Sequence, residues 1–162
     1  MKTSIFIFIL LLGLFSPSLT KVRTDYKKSF NSKEITLQLN KYLAEVKKTD
    51  KKLLVAYKGA VLILMAKYSK VIKEKKTFFK EGATLLNFAI FEEPANVEMR
   101  CIRLSIQENA PKLLKYRANK TEDKQFIKDG YDTIKSATIK TYVRGFIMQS
   151  KSFSDEEKKE FN

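Results

Sequence analysis

Apolar residues recur along most of the chain at intervals of three and four, the period of helices that each bury one face. Asn31 and Glu34 read as a capping box, with Phe30 and Ile35 as the hydrophobic staple around it. Ile35, Leu39, Tyr42, Leu43 and Val46 then make a single stripe. Thr49-Asp50 breaks the pattern and opens a second helix, whose face is Leu53, Leu54, Tyr57, Val61, Leu64 and Met65. Ala60 to Ala66 is apolar all the way round, which predicts a central helix covered by its neighbours. Gly59 would let one of them come close. A third helix is predicted from about Thr77 to Glu92 on Phe78, Phe79, Leu85, Leu86, Ala89 and Ile90. Pro94 stops it, because the residue before a proline avoids helical backbone.

Asn96 caps a fourth helix reaching about Gln107, with two partial stripes, Val97-Cys101-Leu104 and Met99-Ile102-Ile106. Asn109-Ala110-Pro111 closes it and starts a short helical turn through Tyr116. Asn119 and Glu122 form a second box that opens a helix through Phe126 and Ile127, with an interruption expected at Gly130. Ile139, Tyr142, Val143, Phe146 and Ile147 give a further stripe, and Ser154 with Glu157 caps a final short helix. No segment alternates with period two between hairpin turns. The expected fold is all-α, with six or seven helices in an antiparallel bundle or a short tetratricopeptide-like stack of helix hairpins.

The head of the chain reads as an address. Lys2 precedes an apolar run from Ile5 to Phe15, and Ser16-Pro17-Ser18 supplies the small residues a signal peptidase accepts. The organisation expected is a signal peptide over 1–18, a flexible basic leader over 19–30 and a single helical domain over 31–162. Cleavage after Thr20 is the second choice. Eleven helical residues rise only about 16 Å against a hydrocarbon core of ~30 Å, so a retained signal anchor is the weaker alternative to cleavage, and no transmembrane segment is expected once the signal is removed. Localisation is expected to be periplasmic or secreted.

Composition narrows the chemistry. The 162 residues include 32 Lys+Arg against 18 Asp+Glu, no His, no Trp and one Cys, for a net charge of +14. Without imidazole there is no His general base, no Ser-His or Cys-His pair and no His metal ligand. One Cys makes neither an internal disulfide nor a Cys-rich zinc site. Cys101 lies in an apolar helical pattern and reads as a buried thiol, an intermolecular disulfide being the alternative. P-loop, dinucleotide and calcium-loop motifs are absent as well. The expectation is a protein that is not an enzyme and takes no cofactor or metal. An enzyme using Glu, Asp, Tyr or Lys on a helical scaffold is the remaining catalytic possibility.

Two polar clusters are candidates for binding. Asn96, Arg100, Arg103 and Gln107 share one helix face, with Glu108, Asn109 and Tyr116 near in sequence. Arg100, Arg103, Gln107 and Tyr116 could bind a carboxylate or a peptide end through the planar guanidinium fork, or could serve salt bridges inside the bundle. Lys67, Lys70, Lys73, Lys75, Lys76 and Lys80 crowd together with only Glu74 to oppose them. Such charge attracts anionic lipid, lipopolysaccharide, acidic polysaccharide or nucleic acid, unless it is simply a solvated face. The positive excess is spread out, +6 over 21–52, +3 over 53–109 and +4 from 110 onward, which disfavours dedicated nucleic-acid binding. Adjacent carboxylates at Glu92-Glu93, Glu122-Asp123 and Asp155-Glu156-Glu157 point about 100° apart on a helix and read as cap and surface residues. Asn119-Lys120-Thr121 is a glycosylation sequon if the source is eukaryotic.

Phe79, Gly82, Leu86, Ala89 and Pro94 resemble the second-helix half of a tetratricopeptide repeat, and Glu93 to Glu98 is similar to the turn between two such repeats. The spacing from Gly59 to Gly82 is some eleven residues too long for that repeat, and Arg100 and Arg103 stand where the next one carries large apolar residues. The chain, with Arg100 to Pro111 at its centre, also resembles small secreted proteins of Bacteroidetes. These resemblances imply stacked helix pairs and a bacterial envelope setting, and lend no residue a catalytic role. The leading expectation is an exported helical protein that takes a protein or peptide in an inter-helix groove. The alternative is an envelope protein that binds anionic lipid or polysaccharide through its lysine-rich segment.

Overall fold

The computed structural model describes residues 16–111 and 114–161; the apolar run read as a signal lies outside them. Eight α-helices follow in order: α1 Leu19–Ser29, α2 Lys33–Tyr42, α3 Lys52–Tyr68, α4 Ile72–Glu92, α5 Val97–Asn109, α6 Lys120–Gly130, α7 Ala137–Gln149 and α8 Asp155–Lys159. A 3-10 turn, Tyr131–Thr133, continues α6 beyond Gly130, where an interruption was expected. No strand occurs among the described residues, so the fold is all-α.

The helix beyond the expected six or seven is α1. Residues 19–30, expected as a flexible basic leader, form a helix that packs into the core, with Val22 and Tyr26 buried and Leu19 and Phe30 partly so. Those four positions repeat at three and four, but the Lys and Arg between them dominate the composition and hide the stripe.

α5 is a shared wall between two cores. Met99, Ile102 and Ile106 join α1 to α4 in the larger core. Cys101 and Leu104 join Ile127 of α6, Val143 and Ile147 of α7, Phe153 and Phe161 in the smaller one. The two partial stripes visible in the sequence therefore face two different cores.

α3 and α4 form an antiparallel hairpin of unusually close backbones. A Cβ built at Gly59 would lie 2.6 Å from the Gly82 carbonyl oxygen, and one at Gly82 would lie 2.4 Å from that of Gly59. Only hydrogen fits at these two positions.

Helix ends differ from expectation where side chains found other partners. α4 starts at Ile72 rather than near Thr77, because Ser69 organises the turn: its hydroxyl accepts from Val71 N at 3.0 Å and donates to Glu74 Oε2 at 2.8 Å. The cap of α2 is Ser32, which accepts from Ile35 N at 3.2 Å, not Asn31. α2 ends at Tyr42, and Leu43 and Val46 stay buried from the turn that follows. Asp50 accepts from Lys47 N at 2.8 Å and leaves Lys51 to start α3 without a side-chain cap. Asn119 heads α6, but its amide donates to Glu122 Oε2 at 2.9 Å instead of accepting from the backbone. Asn96 and the Ser154–Glu157 capping box hold α5 and α8 as expected.

Candidate functional site

The far end of the α3–α4 hairpin carries the longest exposed run among the described residues: every residue from Lys70 to Thr77 is exposed. Of the lysines ahead of Thr77, where the third helix is expected to begin, most are therefore helical. Lys73, Lys75 and Lys76 lie in the first turn and a half of α4, Lys80 one turn further, and Lys70 in the three-residue connection. A helix keeps these charges at fixed spacing, with its positive N-terminal end among them. Glu74, the one acid of the segment, is engaged by the Ser69 hydroxyl. Lys67 is turned back, its Nζ donating to the Phe30 carbonyl at 2.7 Å. That bond ties the hairpin to the corner between α1 and α2, which carries exposed Lys28 and Lys33. The positive end is thus broader than the sequence run. At its apex Val71 is 51% and Ile72 71% exposed.

The second candidate cluster has an internal partner. Arg100 and Arg103 are 8% and 6% exposed, and both reach Asp123 of α6, which is 0% exposed. Arg103 grips it with Nε at 2.7 Å and Nη2 at 2.6 Å, while Arg100 Nη1 donates to Asp123 at 3.0 Å and to Glu122 at 2.6 Å. Burial is the largest influence on Arg103 and opposes its charge, but the hydrogen bonds to Asp123 and the charges of Asp123 and Glu122 together outweigh it and hold the guanidinium above its ordinary pKa. Hydrogen bonds from Asn119 and Arg100 hold the exposed Glu122 carboxyl below the usual value. Tyr116 and Arg103 converge on Asn87 Oδ1, at 3.2 Å and 3.4 Å, and burial raises the Tyr116 hydroxyl to about 12. Gln107 is 1% exposed, and its Oε1 has no partner among the described residues. The sequence assigned Asp123 to caps and surface, and the structure corrects this. The helical period aligned Arg100 with Arg103, but only the docking of α6 put a carboxylate between them.

A third polar cluster went unread in the sequence. Glu98, 2% exposed, accepts from Arg23 Nε at 2.7 Å, Arg23 Nη2 at 2.8 Å and the Tyr57 hydroxyl at 2.6 Å. Burial pushes the Tyr57 hydroxyl far above its usual pKa, with Tyr142 and Glu98 adding to the shift. Every charge here is compensated, so the cluster acts as a clamp joining α1, α3 and α5. Its sequence signal was α1 itself, which the composition concealed.

Two clefts accompany these clusters. One of about 220 Å³ lies between α1, α5 and α7, lined by Tyr26, Phe30, Ser105, Tyr142 and Phe146, with Cys101 at its floor. Cys101 is a free buried thiol, and burial pushes its pKa well up, which keeps it protonated and a poor nucleophile at neutral pH. A wider depression of about 520 Å³ runs past Arg23 and Glu98 between Leu53, Phe126 and Ile139. Arg100, Arg103, Gln107 and Tyr116 line neither cleft.

Among the described residues no group of three or more His, Cys, Asp or Glu could hold a metal ion. No described helix is long and apolar enough to cross a membrane. No family model, no curated protein and no solved structure matches the chain.

Proposed function

We propose that this is an exported, non-enzymatic helical protein that binds an anionic envelope surface through the lysine-bearing end of the α3–α4 hairpin. One observation carries the reading: Lys70, Lys73, Lys75 and Lys76 stand together on a fully exposed stretch whose single acid is engaged by Ser69. Clustered, unpaired charge on a rigid helix attracts a polyanion strongly at low salt, and the attraction decays as the Debye length shortens. Sedimentation with acidic vesicles at low and high salt tests this, alongside a variant with those four lysines changed to Gln. Binding is expected to weaken steeply with salt and to be largely lost in the variant. Salt-insensitive binding, or none, would sink the reading. Export rests on the signal-like run and predicts a mature N-terminus at Leu19, which N-terminal sequencing of the exported protein reads directly.

Peptide binding in an inter-helix groove is the second reading. What favours it is the 220 Å³ cleft between α1, α5 and α7 rather than the arginine pair, whose donors go largely to Asp123 and Glu122. A single envelope protein that stays bound at high salt, and is released when Gly145→Phe fills the cleft, would move the assignment there.

A further inference from the structure

We infer that the hairpin end enters an anionic lipid bilayer, with Val71 and Ile72 among the acyl chains and the surrounding lysines reaching up to lipid phosphates. This rests on the surface reading above and adds to it the lipid and the depth. An isolated exposed aliphatic residue is ordinary on any protein surface. Here two stand side by side at the apex of the longest exposed run among the described residues, 51% and 71% exposed, with Lys70 before them and Lys73, Lys75 and Lys76 after. A soluble polysaccharide or nucleic acid would satisfy the lysines and leave Val71 and Ile72 in water. A bilayer satisfies both, because lysine stems lie along apolar surface while their heads stay at the phosphate level.

The dimensions agree. The exposed first turns of α4 rise roughly 10 Å, and interfacial segments bury their apolar side about 5–10 Å below the headgroups. The α1–α2 corner is bonded to α3 at Lys67 and Tyr68, so the apex reaches the shallow end of that range as the corner, with its own Lys28 and Lys33, arrives at the headgroups. Contact stays at one face of the membrane, since no described helix could span it. Phe91, 81% exposed, lies at the opposite end of α4 and takes no part.

The chain has no Trp, so Ile72→Trp places a single fluorophore at the apex. Its emission is expected to shift to the blue on phosphatidylglycerol-containing vesicles and to be quenched by lipids brominated on their acyl chains. Neutral phosphatidylcholine vesicles should do neither. The double variant Val71→Asn/Ile72→Asn should lose vesicle partitioning by about tenfold or more while binding heparin, a soluble polyanion, as the parent does. All these positions are exposed, and circular dichroism verifies that each variant is folded. Vesicle binding with no blue shift and no quenching overturns insertion and leaves the surface reading standing. Equal vesicle binding by the double variant does the same. Absence of binding to both acidic vesicles and heparin overturns the surface reading together with this one.

Discussion

Asp123 balances two guanidinium groups in a place that water does not reach, which makes it the residue whose loss the fold should feel most. Asp123→Asn removes the buried counter-charge of Arg103 and leaves both arginines only the exposed Glu122, at 2.6 Å from Arg100 and 4.0 Å from Arg103, and is expected to cost about 3–5 kcal/mol in urea unfolding. Glu122 contacts Arg100 too, but its side chain is 56% exposed, so Glu122→Gln should cost at most about 1 kcal/mol. A cost for Asp123→Asn no larger than that of Glu122→Gln would mean that the arginines hold their positions without it. Acid should act through Glu122 in a definite direction. Its folded-state pKa lies below the ordinary 4.5, so it adds stability above that value and loses it as pH falls through 4.5 toward the lowered pKa. Glu157, held down by Lys124 and the Ser154 backbone, acts in the same sense. The thermal midpoint should thus fall on acidification below about pH 4.5, and Glu122→Gln should flatten part of that fall. A midpoint that rises over the same interval would contradict the assignment. At this scale the alignment of Arg100, Arg103 and Gln107 was legible, because it needs only the helical period. The partner of the two arginines was not, because Asp123 is twenty or more residues away along the chain.

Two glycines, each inside a helix, should respond to alanine with opposite signs. In Gly82→Ala the new methyl meets the Gly59 carbonyl oxygen at 2.4 Å and Ile63 N at 2.9 Å, which are backbone atoms that cannot step aside cheaply. Separation of α3 from α4 should cost about 1–3 kcal/mol or more. Gly145 in α7 has nothing within 4 Å of its would-be Cβ, so Gly145→Ala should stabilise by about 0.5–1 kcal/mol through helix propensity. Denaturant unfolding of the pair checks both, and equal effects would mean that the hairpin relaxes freely. α1 supplies the second prediction about elements. A chain beginning at Leu19 should unfold cooperatively, whereas one beginning at Asn31 loses Val22 and Tyr26 from the core and Arg23 from Glu98. That loss is comparable with the whole stability of a small domain, about 5–15 kcal/mol, so the shorter chain should show no cooperative transition. Retention of a sharp transition would restore the view of this segment as a leader. Helices with a clean stripe, α2 and α7, and the all-round apolar α3 were visible in the sequence. α1 was not, since four basic residues among eleven outweigh the two buried apolar residues, Val22 and Tyr26, in any compositional reading.

Across the whole molecule the charge of +14 sets a general attraction for anions, and the hairpin gives it a direction. A lysine near an acidic bilayer contributes about 1 kcal/mol, and a fully buried Val or Ile side chain about 1.5–3 kcal/mol. If the hairpin enters a bilayer as proposed, four lysines and two partly exposed aliphatic residues should together give an affinity of roughly 1–50 micromolar, while either set alone would leave binding marginal. Such binding is reversible and tunable by salt, unlike that of a spanning helix.

The sequence alone determined the all-α class, the two partial apolar stripes of α5 and the exclusion of imidazole chemistry. Each follows from local period or from composition, which need no knowledge of what lies across the fold. Tertiary structure decided that the basic leader is a core helix, that Arg100 and Arg103 face Asp123, and that Glu98 is clamped by Arg23 and Tyr57. It also put Lys28 and Lys33 at the same end of the bundle as the α3–α4 lysines, through the bond from Lys67 to the Phe30 carbonyl. Pairings of this kind form between residues far apart in the chain. A helical period says which face a side chain takes, and only packing says what that face meets.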